Sequence, residues 1–282
     1  MKALIVIIWI GARELGEVPS MRFISILQFL TRISIKKDIG YDPHMERGIV
    51  YFPVVGAIIG LILFVGFRVF NWIFSGIDNI YLLATLILIL ELIITGGLHM
   101  DGFGDTFDGF FSYRSKDRIL EIMRDPRLGT NGLLAIVSLV VLKIVAMATL
   151  IDYNMAVYLI FMPIVGRLAG VFLTYKTRPA RENGMGNMFI GKCSTSALVL
   201  ASLFTALSAI AIEYLIGFNT YIFIYLYLIG SMVLIFILSR LLISLSYRRI
   251  DGITGDLLGC VIEISEVVFL IYILIVMRCE NE

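Results

Sequence analysis

Seven apolar runs recur along the chain, at residues 50–74, 80–98, 130–151, 155–174, 195–217, 221–244 and 257–277. Each is near the length that a helix needs to cross a hydrocarbon core. A shorter run, 21–35, predicts an amphipathic or half-inserted helix ahead of them. The stretches between the runs alternate in character. Segments 75–79, 152–154 and 218–220 are short and carry no Lys or Arg, whereas 31–49, 101–129, 175–194 and 245–256 are long and basic. The first long stretch holds Arg32, Lys36, Lys37 and Arg47, and the second Arg114, Lys116, Arg118, Arg124 and Arg127. The third holds Lys176, Arg178, Arg181 and Lys192, and the fourth Arg248 and Arg249. Because Lys and Arg stay on the side that is not translocated, the long stretches are expected together in the cytoplasm. The pattern predicts an all-α, polytopic integral membrane helical bundle of about seven spans plus the N-terminal helix.

Composition narrows the class further. A hydrophobic fraction of 59%, with only 16% charged residues and a mean hydropathy of +0.95, excludes an ordinary soluble domain. Residues 21–282 read as a single membrane-embedded domain. Residues 1–20 read as an extension of uncertain status, because the apolar run from Ala3 to Gly11 is too short to span, charged Arg13, Glu14 and Glu17 follow it, and Met21 offers a second start. A net charge of +1 singles out no charged partner, and no nucleic-acid partner is expected. Cys193, Cys260 and Cys279 lie far apart with no CxxC pair, so neither a disulfide framework nor a zinc site is indicated and they read as packing residues. His44 and His99 are the two histidines of the chain, so any metal site must be dominated by oxygen.

The richest chemistry starts where the second run ends, in GGLHMDGFGDTFDG. Asp101, Asp105 and Asp108, spaced four and then three residues apart, fall within roughly 60° of one another on a helical face. Three like charges so close raise one another's pKa unless a cation sits among them, and hard oxygen ligands suit Mg²⁺. His99, two residues upstream, could ligate, donate to a phosphate or act as a base. Downstream, Glu121 and Asp125 are again four apart on an expected short helix, interspersed with Arg118, Arg124 and Arg127. Carboxylates for metal ions together with guanidinium groups for phosphate oxygens suit phosphoryl transfer, although a solvated salt-bridge ladder would read the same way. The segment RPARENGMGNMFIGK combines Arg181, Asn187 and Lys192 with three glycines, a composition that lets backbone amides approach phosphate. Asp256, Glu263 and Glu266 share a face of the last run, where Lys143, Arg167 and Glu91 of other runs are candidate partners.

These motifs carry a resemblance. GGLHMDGFGDTFDGFFSYRSKDRILEIMRDPRLGTNG, with RENGMGNMFIGK, TGDLLGCVIEISEVVFL and the early ILQFLTRISI and RGIVYFPVVGAIIG, resembles the cobalamin-5′-phosphate synthase (adenosylcobinamide-GDP ribazoletransferase) family in collinear order over residues 21–277. The resemblance implies an Mg²⁺-dependent transferase of the inner membrane, its site facing the cytoplasm. A hydroxyl of α-ribazole or α-ribazole 5′-phosphate attacks the cobinamide-linked phosphorus of adenosylcobinamide-GDP, and GMP leaves. The logic is similar to that of CDP-alcohol phosphotransferases, but the spacing here departs from their DxxDGxxAR pattern, so ligand geometry does not carry over. On this reading Asp101, Asp105 and Asp108 hold the metal, Asp125 or Glu121 accepts the hydroxyl proton, and His99 joins the reacting groups. Arg124, Arg127, Arg181, Asn187, Lys192 and Asp256 contact substrate. Other expectations compatible with the chain are a membrane transporter, suggested by its intramembrane charges, or another nucleotide-diphosphate-alcohol phosphotransferase. A homo-oligomer is left open.

Overall fold

A computed structural model describes residues 19–35, 42, 44–77, 79–216 and 223–280. Residues 1–18, Lys36, Lys37 and the 218–220 connection lie outside the described residues. The elements are α1 (Pro19–Leu30), a 3-10 turn (Met45–Tyr51) that runs directly into α2 (Phe52–Ile73), α3 (Ile80–Thr95), α4 (Leu98–Phe110) and α5 (Lys116–Ile122). After these come α6 (Thr130–Asp152), α7 (Tyr158–Thr174), a 3-10 turn (Met185–Met188), α8 (Thr195–Ile216), α9 (Phe223–Ile250) and α10 (Gly255–Glu280). The described residues contain no named strand, only isolated bridges joining Tyr175 to Cys193 and Pro179 to Ile253.

The protein is an all-helical membrane protein. Among the described residues five helices are long and apolar enough to cross a bilayer, and a bent pair, α3 with α4, raises the number to six. Two of the seven apolar runs depart from simple spans, each for a physical reason. The run at 80–98 breaks after Thr95, because Gly96 and Gly97 both take left-handed backbone angles, φ +65° and +69°, that are costly for a residue with a Cβ. The axis turns by 92° there, and α4, at 13 residues, is too short to cross by itself. The run at 155–174 becomes α7, only 17 residues long and buried along its entire length. A helix apolar on all sides belongs inside protein. By contrast α6 turns Leu134, Val137, Val141 and Val145 outward, as a lipid-facing helix does.

α7 is the centre of the bundle, packed by α2, α8, α9 and α10. Gly56 and Gly60 of α2 lie directly against the backbone of Pro163 and Ile160, the close approach that small residues four apart permit between membrane helices. Beyond α7 the 175–194 segment is tied back to the start of α10. The Ala180 amide donates to the Ile253 carbonyl at 2.9 Å and the Ile253 amide to the Arg178 carbonyl at 2.9 Å. Cys193 and Cys260 are buried free thiols, while the side chain of Cys279 lies outside the described residues.

Candidate active site

α4 and α10 meet without side chains between them. A Cβ on Gly102 would lie 2.7 Å from the Asp256 carbonyl oxygen, and one on Gly259 would lie 2.9 Å from that of His99. This contact sets His99 and Asp101, in the first turn of α4, beside Asp256 in the first turn of α10. The anchored 175–194 segment adds Arg181, Met185 and Gly186, and α1 adds Phe29 and Leu30. Together they line a small cavity of about 110 Å³, below the roughly 300–1,000 Å³ that whole small-ligand sites occupy, so it has room for one part of a ligand. Phe29, Leu30 and Met185 are wall residues that no polar pattern in the sequence announces.

Arg181 is the cavity's cation. Its Nη2 donates to Asp256 Oδ2 at 3.1 Å, while Nε and Nη1 are buried and meet no acceptor among the described residues. Each buried donor without an acceptor costs about 1–3 kcal/mol, and two on one guanidinium suit the oxygens of an anionic group. Asn187, by contrast, shapes the loop: its Nδ2 donates to the carbonyls of Arg181 at 2.9 Å and Glu182 at 2.8 Å.

The three aspartates of α4 divide their work. Asp101 is exposed at the cavity rim. Asp105 is half-buried, and burial first, then the charges of Asp101, Asp256 and Asp108, push its pKa up to about 7. Asp108 is buried, and its two oxygens accept from the amides of Gly129 at 2.7 Å and Gly132 at 2.8 Å. It therefore caps the N-terminus of α6, satisfying amides that have no partner within that helix. Among the described residues no three His, Cys, Asp or Glu side chains converge to form a metal cage. The donors that remain, Asp101, Asp105 and Asp256, act on one another's charge without gathering into a three-ligand set, so a hard cation here would rest on one or two carboxylates. Mg²⁺ ordinarily takes one or two carboxylates and completes its shell with water and substrate phosphate, and the mutual repulsion felt at Asp105 is what a cation would relieve.

His99 is buried, with Nδ1 3.3 Å from Arg167 Nη2. Arg167 Nη1 donates to Glu266, and Glu266 accepts from Lys143 Nζ at 2.5 Å, an ammonium that also reaches Glu91 and Glu263 at 3.1 Å. The intramembrane charges are thus one another's partners, all buried. The remaining candidates are not brought to the cavity. Glu121 pairs with Arg118 on the exposed face of α5 at 2.5 Å, and Arg124 and Lys192 are exposed. Asp125 does not share a helix with Glu121, contrary to the expectation from their spacing. α5 ends at Ile122, and the residue before a proline, here Pro126, disfavours helical backbone. Its carboxylate accepts from the Arg127 side chain at 2.7 and 2.9 Å, which holds its pKa down to about 2 and makes it a poor proton acceptor.

Comparison with known proteins assigns the chain. Residues 22–274 match the family model described as Cobalamin-5-phosphate synthase. The chain is similar to a protein named adenosylcobinamide-GDP ribazoletransferase from Clostridioides difficile (strain 630), 46% identical over 252 residues, 89% of this chain and 96% of that one. Proteins of the same name resemble it in Alkaliphilus metalliredigens (strain QYMF), 42% identical over 90% of this chain and 95% of that one, and in Fusobacterium nucleatum, 37% identical over 90% and 97%. No solved structure matches the chain. A family model that covers nearly the whole helical bundle, cavity included, leads to one assignment: the chain belongs to the cobalamin-5-phosphate synthase family.

Proposed function

We propose that the protein transfers the adenosylcobinamide-phosphate group of adenosylcobinamide-GDP to α-ribazole or its 5′-phosphate, a late step of cobalamin synthesis. The acceptor hydroxyl oxygen forms a bond to the cobinamide-linked phosphorus, the bond from that phosphorus to the bridging oxygen breaks, and GMP departs with the electron pair. The observation that carries this reading is the Arg181 guanidinium, whose Nε and Nη1 are buried without an acceptor among the described residues, set among acidic side chains in a chain of this family. Arg181 would hold diphosphate oxygens, and Phe29, Leu30 and Met185 offer an apolar wall to a nucleobase. The hydroxyl proton passes to a carboxylate of the cavity, since Arg127 occupies Asp125. One or two of Asp101, Asp105 and Asp256 would hold Mg²⁺ together with water and diphosphate oxygens, and the ion when bound neutralises diphosphate charge. A corrinoid is larger than this cavity, so the cobinamide part extends past its mouth. The distribution of Lys and Arg supports a cell-membrane location, the inner membrane where there are two, with the mouth facing the cytoplasm.

A transport reading drew on Glu91, Lys143, Arg167, Glu263 and Glu266, which are paired with one another inside the bundle. Purified protein in detergent, where no gradient exists, should release GMP from adenosylcobinamide-GDP when Mg²⁺ and α-ribazole are supplied, and Asp101→Asn should abolish release while remaining folded. Absence of GMP release by active-site-intact, folded protein would overturn the proposal.

A further inference from the structure

Behind the cavity, buried charges from four helices join in one connected network. Arg167 on α7 reaches His99 with one arm and Glu266 with the other. Glu266 on α10 accepts from Lys143 of α6 through its second oxygen, and the remaining donors of that ammonium go to Glu91 of α3 and Glu263 of α10. Arg167 is 0% exposed and Lys143 1%, so neither can swing away to water. A guanidinium only donates hydrogen bonds and does not lose its proton in proteins. His99 Nδ1 must then accept from Arg167, and the proton of the neutral ring must sit on Nε2. That Nε2 is buried without a partner among the described residues, on a side chain 4% exposed that lines the same cavity as Arg181.

We propose that His99 is a hydrogen-bond donor to a bound anion, its Nε2–H offered to a phosphate oxygen in the cavity, and that Arg167 is the positioning residue that fixes this tautomer. A nitrogen that carries the proton has no lone pair for a metal ion and cannot receive the hydroxyl proton, so the ring serves neither as ligand nor as base. It adds a neutral donor to the two free donors of Arg181, where charge collects as GMP leaves. The role of the charged network is to hold a tautomer that free imidazole adopts only in part. The inference rests on the transferase reading only for the identity of the anion.

The chain has two histidines, and His44→Gln, at an exposed position away from the cavity, leaves His99 as the only imidazole signal. Long-range proton–nitrogen spectra of ¹⁵N-imidazole-labelled His44→Gln protein in nanodiscs should show a protonated Nε2 and an unprotonated Nδ1, and GMP should shift the Nε2 resonance. A protonated Nδ1, an imidazolium at neutral pH, or an Nε2 resonance that saturating GMP leaves in place would overturn the proposal. In kinetics, His99→Gln, whose amide can donate from near the position of Nε2, should keep kcat/KM within a few-fold of wild type. His99→Leu should lower it by roughly 10- to 150-fold, the worth of one hydrogen bond to a charged group. Equal losses in both variants would remove the donor role. If the protein released no GMP yet the tautomer and the GMP response were found, the transferase reading would fail while the role of His99 stood.

Discussion

Arg181 and Asp105 owe their chemistry to what stands beside them. If the two unanswered donors of Arg181 hold the GDP moiety, Arg181→Ala should lower kcat/KM by roughly 10- to 150-fold, equally with α-ribazole and with its 5′-phosphate as acceptor. A loss confined to the phosphorylated acceptor would assign the guanidinium to that phosphate instead. Asp105 makes a pH prediction. Its folded-state pKa, about 7, stands above the ordinary 3.8, so between those values the folded, metal-free protein keeps a proton that the unfolded chain releases. The stabilisation from that proton is complete below about pH 4 and is lost as pH rises through about 7. Asp105→Asn, which mimics the protonated group, should therefore melt above wild type at pH 8 in EDTA and converge with it near pH 4. Parallel melting curves at both pH values would show that Asp105 titrates normally. The sequence made these residues candidates through charge and spacing. It did not reveal that Arg127 occupies Asp125 or that Arg181 lies beside Asp256, 75 positions away.

Among the elements, α4 shows how far periodicity reaches. Its helical spacing puts three aspartates on one face, which the fold keeps, but a face about 60° wide still touches more than one neighbour. The start of α6 approaches the far end of that face, so Asp108 became a helix cap while Asp101, nearly two turns earlier, opens on the cavity. Asp108→Ala should therefore lower stability by about 1–2 kcal/mol, the worth of an N-cap, visible as a reduced melting temperature in detergent. Unchanged melting with lost activity would return Asp108 to the reacting groups. The pair Gly96–Gly97 was legible as a break, whereas the 92° turn it produces depends on where α4 finds α10.

The described residues form a shell of lipid-facing helices around α7 and the buried network of Lys143 and Arg167. Removing one partner of such a network leaves uncompensated charge in a low dielectric. Lys143→Ala should cost about 3–5 kcal/mol, measured by thermal unfolding in detergent, and a cost near zero would mean that the glutamates find other partners. The positive-inside expectation predicts that Ser115→Cys and Tyr153→Cys, in a basic connection and in one without Lys or Arg, label from opposite sides of the membrane; labelling from one side would overturn that assignment. The sequence by itself determined the all-helical membrane class, because bilayer thickness imposes a run length that composition displays. Its Asp-rich and Gly-rich segments also carried the family resemblance. Only the tertiary structure decided that the 155–174 run is a buried centre, that Asp108 belongs to α6, and that Lys143 joins glutamates 52 to 123 positions away. The physical reason is that a 3.6-residue period records which side of a helix is apolar or charged, while the helix facing that side is chosen by packing among segments distant in the chain.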